Sequence, residues 1–294
     1  MTGIGKFGIW TVLAGLLVAG GSCAGGPKHN EKPCIAVSVA PQAALVKAIA
    51  GDEYEILTVL EKGSDPETFE PGMQTRLAAD KSLAYLNFGG LLSFENQLTQ
   101  SLKGDVRVYN TARGIELEYG THGEAHNHHD TPDGHDGADP HVWTSTVNLS
   151  LMAENIRAAL AELNPTNAAE YAARAMQLQA RLDSMDQAFR TRLENAPSRS
   201  FAVWHPSLSY FARDYGLKQI ALGQEHKELS AKRMKELSDS AAAEGTRVFF
   251  LQREYDPRQA ETANERIGSR LVIITPLSED WKGQMELIVD ELTR

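Results

Sequence analysis

Short apolar runs and helix-length amphipathic runs alternate along most of this chain. Ile35 to Val39, Tyr54 to Leu60, Leu83 to Phe88 and Val106 to Tyr109 read as strands. Between them, Gln42 to Ala50, Met73 to Lys81 and Phe94 to Leu102 read as helices. Strict alternation of this kind predicts an α/β lobe with a mainly parallel sheet. The same grammar returns after residue 198, with strands at Ser200 to Val203, Lys218 to Leu222, Thr246 to Leu251 and Arg270 to Ile274. Helices at Ser207 to Tyr215, Ala231 to Glu244 and Arg258 to Ile267 separate them. The pattern therefore predicts two similar α/β lobes.

One long helix is expected to join them. Pro165 is followed by Asn167, with Glu170 three residues later, which is the arrangement of a capping box with Asn as the cap. Tyr171, Ala175, Leu178, Leu182, Met185 and Phe189 then recur at spacings of three and four, with no Gly or Pro before Pro197. A helix of nearly 30 residues, roughly 43 Å long, follows from that stripe. Packing across both lobes is the preferred role for its apolar face, ahead of a coiled-coil partner. Such a connector is stiff, so large hinge opening between the lobes should be limited.

Residues 1–22 change the picture at the start of the chain. Lys6, the apolar run Ile9 to Ala19, and the small residues Gly20, Gly21 and Ser22 before Cys23 have the layout of a secretory signal peptide. The run of about 11 residues is too short for a membrane-spanning helix, which needs roughly 20. Small residues before Cys23 resemble a lipoprotein processing site, although Gly20 stands where Leu is usual. Cys23 is then either acylated, leaving Cys34 as a small apolar residue at the first strand, or paired with Cys34 in a disulfide.

The 294 residues include only two cysteines, which excludes a disulfide-built scaffold. Lys plus Arg number 29 against 39 Asp plus Glu, a net charge of −10, so the surface attracts cations and nucleic-acid binding is not expected. Of nine histidines, His122, His126, His128, His129, His135 and His141 fall within 20 residues. From residue 122 to 138 the surroundings are mostly Gly, Asp, Asn, Thr, Pro, Glu and Ala, which build no core. A polar surface loop that contacts borderline transition metals is the reading this composition supports.

Two histidines sit beside tryptophan instead: His141 in Asp139-Pro140-His141-Val142-Trp143, and His205 in Trp204-His205-Pro206. His205 directly follows a strand, at the carboxyl end of a sheet, where ligands of open α/β folds bind. Each alone would suit a core histidine; together, from different lobes, they indicate a cleft. A third piece, Gly63-Ser64-Asp65-Pro66-Glu67-Thr68-Phe69-Glu70-Pro71, offers Glu67 and Glu70 as oxygen donors. Complementing the dipole of the following helix would account for one of them without any metal.

As a set, these segments resemble the metal-binding receptors of bacterial ABC importers, particularly the periplasmic zinc-uptake receptors of the ZnuA type, in the group that also holds manganese receptors and adhesin lipoproteins. The resemblance covers essentially the whole chain after the signal. It implies a non-enzymatic, monomeric receptor, periplasmic or anchored to a membrane through Cys23, that binds Zn²⁺ as transported ligand and delivers it to an ABC permease. Matched to that family's motifs, the ligand positions are Glu67, His141, His205 and Thr275. Glu67 replaces a histidine and can still ligate; Thr275 replaces an aspartate with a poorer, neutral donor. Gln252 stands where the family often has an acid, with Glu254 nearby. Water, Glu254, or a loop imidazole such as His128 or His129 is left to complete the set.

Two imidazoles, one carboxylate and a tetrahedral vacancy suit zinc better than manganese, which prefers more oxygens. Manganese or iron is the alternative cargo. A zinc hydrolase is the rival class, because two histidines and a glutamate also form catalytic zinc sets. His126-Asn127-His128-His129-Asp130 begins like a metallo-hydrolase H-x-H-x-D-H motif, but Thr131 stands where its last histidine belongs. No H-E-x-x-H or G-x-S-x-G motif occurs.

Overall fold

In the computed structural model, which describes residues 1–2, 32–119, 137–223 and 230–294, the first sheet takes four strands: β1 (Cys34–Val37), β2 (Glu55–Thr58), β3 (Ala84–Asn87) and β4 (Arg107–Asn110). They are all parallel, in the order β2-β1-β3-β4. Helices α1 (Ala40–Ala50), α2 (Met73–Ala79) and α3 (Ser93–Ser101) make the crossovers. Parallel strands covered on both faces need apolar side chains in every position; Ile35, Ala36 and Val37 are accordingly all fully buried.

Two long antiparallel neighbours follow, α4 (Thr146–Leu163) and α5 (Ala168–Leu193), and then a second lobe. It comprises β5 (Ser200–Val203), α6 (Ser209–Tyr215), β6 (Lys218–Ala221), α7 (Ala231–Ala243), β7 (Val248–Gln252), α8 (Pro257–Ile267), β8 (Arg270–Ile274) and α9 (Trp281–Thr293). Its strand order, β6-β5-β7-β8, all parallel, repeats that of the first lobe. Alternation within the strands sorts this lobe into two layers. Phe201, Val203, Val248 and Phe250 join the core shared with the first lobe. Ala202, Phe249 and Leu251 pack with Ala241, Ala260 and Ala263 of α7 and α8 in a separate cluster. The α/β class and the two parallel lobes are those the sequence predicts.

The connector differs in detail. It has 26 helical residues, about 39 Å, preceded by a 3₁₀ turn at Pro165–Asn167. Asn167 makes no cap bond; its amide donates instead to Glu53 Oε2 at 2.9 Å, and Tyr171 Oη donates to the same oxygen at 2.5 Å. A carboxylate brought in by the fold thus outcompetes the local capping box. At the other end the helix stops at Leu193, whose carbonyl accepts from Arg199 at 2.8 Å. The expected stripe faces inward, with Tyr171, Ala175, Leu178, Leu182 and Phe189 buried. Arg174 reaches the Ile49 carbonyl of the first lobe, and Arg190 reaches the Asp214 carbonyl of the second. Hydrogen bonds thus tie the helix to each lobe. Among the described residues no helix is long and apolar enough to cross a membrane.

Beneath the carboxyl end of the first sheet, Glu95 of α3 is fully enclosed. Its Oε1 accepts from Ser38 Oγ at 2.5 Å and Phe88 N at 2.9 Å, and Oε2 accepts from Gly90 N at 2.9 Å. Gly90 can present that amide because it sits at φ 94°, the left-handed region open to glycine. Burial pushes the Glu95 carboxyl up from 4.5 to about 7, against the pull of these donors. A raised folded value means the group's contribution to stability is complete below about 4.5 and is lost as pH rises through about 7. Urea unfolding should therefore show the stability of Glu95→Gln, relative to the parent protein, rising between those two pH values. A pH-independent difference would show that Glu95 titrates alike in the folded and unfolded chains.

Candidate metal centre

In a sheet ordered 2-1-3-4 the crevice lies beyond the carboxyl ends of the two middle strands, where the connections diverge. Both lobes present that crevice, and three donor side chains come from the loops around it.

Glu67 lies in the segment leaving β2. Asp65 Oδ1 accepts from Glu67 N at 2.9 Å, forming a tight turn, and Ser93 Oγ donates to the Glu67 carbonyl at 2.8 Å. Phe69 meets Phe94 edge to face at 5.5 Å, so apolar contact clamps the turn onto α3. Glu67 is thus held by its own loop rather than by the dipole of α2, which has no acidic residue in its first turn. Glu70 is exposed and outside the cluster.

His141 precedes the 3₁₀ turn Val142–Thr144 that leads into α4. Asp139, fully buried, accepts on one oxygen from both His141 N at 2.9 Å and His141 Nδ1 at 2.8 Å. A carboxylate on Nδ1 fixes the tautomer and orients Nε2 for ligation. Tyr210 of α6 donates to the Asp139 carbonyl at 2.7 Å, bracing this first-lobe segment against the second lobe. Trp143 stacks on Phe88 at 5.5 Å and supports the imidazole from below.

His205 lies two residues beyond β5. Gln252, the last residue of β7 and 1% exposed, bonds both sides of its backbone: Oε1 accepts from His205 N at 3.3 Å and Nε2 donates to the His205 carbonyl at 2.6 Å. Where the family often has an acid, an amide serves as a clamp, because it offers a donor and an acceptor together and an ionised carboxylate only accepts.

These three side chains converge. Glu67 Oε1 is 3.1 Å from His205 Nε2 and 3.9 Å from His141 Nε2, and the two Nε2 atoms are 3.3 Å apart. Donors about 2.1 Å from one tetrahedral zinc lie about 3.4 Å from each other. The observed spacing therefore encloses a zinc-sized position, and all three side chains are at least nine-tenths buried. They are the one group of three or more potential ligands among the described residues.

Of the remaining candidates, the described ones, Thr275 and Glu254, are not part of this group. Thr275 Oγ1 accepts from Arg253 Nε at 3.3 Å and its amide donates to Gln284, so the hydroxyl faces a guanidinium, a poor neighbour for a cation. Glu254 lies outside the group of three; burial, with the charge of Asp65 next, raises its carboxyl. Cys23, residues 3–22 of the signal segment, and His122, His126, His128, His129 and His135 lie outside the described residues. The described ends of the His-rich loop meet in an antiparallel bridge, Tyr119 with Ala138, immediately before Asp139.

Two positions with a role here carry no donor that the sequence marks. Asp139 is visible only as the partner of Pro140 in a motif. Tyr255 gives no local signal, yet its ring stacks on His205 at 5.4 Å and 24°, and its hydroxyl donates to Asp65 Oδ2 at 3.3 Å. Burial, together with the nearby carboxylates Asp65, Glu67 and Glu254, holds its phenol far above the usual range, so it remains a donor.

A family model described as zinc-uptake complex component A, periplasmic, matches residues 35–294. The zinc-binding protein AdcA of Streptococcus pyogenes serotype M3 is 25% identical over 274 residues, which are 86% of this chain and 52% of that protein. Its Streptococcus pneumoniae counterpart, a zinc-binding lipoprotein, is 25% identical over 268 residues, with 87% and 52% covered. The chain thus spans about half the length of these relatives. The high-affinity zinc uptake system protein ZnuA of Bacillus subtilis is 24% identical over 260 residues, 84% of this chain and 79% of that one. Among solved structures, a crystal structure of ZnuA superposes with a TM-score of 0.79 at 29% identity, covering 90% of this chain and 98% of the other. A zinc-bound ZnuA deletion mutant gives 0.78 at 29%, covering 90% and 97%.

Proposed function

The chain belongs to the ZnuA family of periplasmic zinc-uptake components, and from that premise we propose that it captures Zn²⁺ between its lobes outside the cytoplasm and hands it to the permease of an ABC importer. The observation that carries this reading is the convergence of Glu67 Oε1, His141 Nε2 and His205 Nε2, from three separate loops, at the spacing a tetrahedral zinc requires. A fourth position is left to water. This donor set, rich in nitrogen and short of oxygen, favours zinc over manganese or iron. The metal is cargo, so the protein needs no reacting substrate and no turnover.

In this reading residues 1–22 direct secretion, Cys23 carries a lipid anchor, residues 23–164 and 198–294 form the two lobes, and 165–197 connects them. The protein works as a monomer. The histidines from 122 to 135 collect zinc with low affinity. Deleting residues 122–135 should then reduce the number of zinc ions bound while sparing one tight site, measured by competition with a chelator of known affinity. Excess manganese should not displace zinc from that site. Loss of the tight site with the loop would contradict the reading, because the loop would then be the binding element.

A further inference from the structure

Resting on the zinc-receptor reading, we propose that Tyr255 is the positioning residue that sets how fast zinc leaves, by linking the ligand-bearing loops of the two lobes. Three contacts carry this. The Tyr255 ring lies nearly parallel to the imidazole of His205, with centroids 5.4 Å apart, and so covers the second lobe's ligand. Its hydroxyl donates to Asp65 Oδ2 at 3.3 Å, across 190 residues of sequence and from one lobe to the other. The other oxygen of Asp65 accepts from the Glu67 amide at 2.9 Å and holds the turn that presents the first lobe's carboxylate. One side chain therefore touches both metal-bearing segments while ligating nothing.

The consequence is mechanical. Withdrawing Glu67 from the metal requires its turn to move, and Asp65 ties that turn to Tyr255. Losing a contact of this kind acts mostly on the rate of leaving rather than on the rate of arrival. Tyr255 is held in place by its own amide bond to the Gln252 carbonyl at 3.1 Å, and Gln252 is the residue that clamps the His205 backbone. The latch and the ligand thus share one support.

The test uses the full chain loaded with one equivalent of zinc and mixed rapidly with excess chelator. Tyr255→Phe retains the ring over His205 and removes only the hydroxyl. It should release zinc about tenfold faster, the scale of one hydrogen bond to a charged group. The association rate should change by a smaller factor than the release rate. Asp65→Asn should accelerate release similarly, and the double variant should add little beyond either single one. Release at the parent rate from Tyr255→Phe overturns the proposal, as do single effects that simply add. Failure of the parent protein itself to hold one zinc tightly would sink the receptor reading, and the latch falls with it.

Discussion

Replacing His141 and His205 together by alanine, in protein lacking residues 122–135, will abolish tight zinc binding while leaving the fold intact. Each imidazole contributes one of three clustered donors. Structural zinc sites bind with about 10–16 kcal/mol; shared among four positions that is about 2.5–4 kcal/mol each, so each ligand is worth roughly a hundred- to a thousandfold and the pair roughly ten-thousand- to a millionfold. The fold should survive because the lobe cores are built from other side chains, each imidazole packing on one aromatic neighbour, Trp143 or Tyr255. Chelator competition reads the affinity, and circular dichroism of the metal-free variant checks the fold. Zinc affinity unchanged in the double variant would remove the cleft from the account altogether.

Asp139→Asn should weaken zinc by about 10- to 100-fold, although Asp139 itself is not a ligand. Its Oδ1 accepts from His141 Nδ1 at 2.8 Å in a site with no exposure to solvent. An asparagine turned to offer its oxygen keeps the tautomer but loses the negative charge that makes the imidazole a stronger donor. Turned the other way, it offers an N–H, and the proton moves to Nε2, where the metal must bind. Asp139→Ala should be worse, because the His141 amide also loses its acceptor at 2.9 Å. Zinc titration of both variants, with Glu70→Gln as an exposed control, provides the check. Equal affinity in Asp139→Asn and the parent would mean that His141 needs no orientation from this carboxylate.

Much of the fold is legible in the sequence because parallel strands buried on both faces read as unbroken apolar runs. The fully buried β5 has the predicted limits, Ser200–Val203, and so does β8, Arg270–Ile274, an edge strand that is only partly covered. Two helices are not in that reading. α4 carries Leu149, Met152, Ala153, Ile156 and Leu160 at helical spacing behind a Ser145 cap, and α9 carries Trp281, Met285, Ile288, Val289 and Leu292 behind Asp280. Their periodicity is present; both lie outside the strand-helix-strand alternation that organises the lobes, one at the junction and one at the chain end. At the site, His141 and His205 stand out because each is placed by a local element. Gln252 and Tyr255 do not, because their roles depend on partners 47 and 190 residues away. The capping box at Asn167 fails for the same reason: Glu53 lies 114 residues distant and takes the side chain.

The central claim is that one zinc ion sits among Glu67, His141 and His205. Diffraction from zinc-loaded crystals, recorded on both sides of the zinc absorption edge, tests it most directly. The account predicts one strong anomalous peak about 2.1 Å from Glu67 Oε1 and from Nε2 of both histidines. A fully occupied peak elsewhere in the protein, with this cluster free of metal, would contradict it.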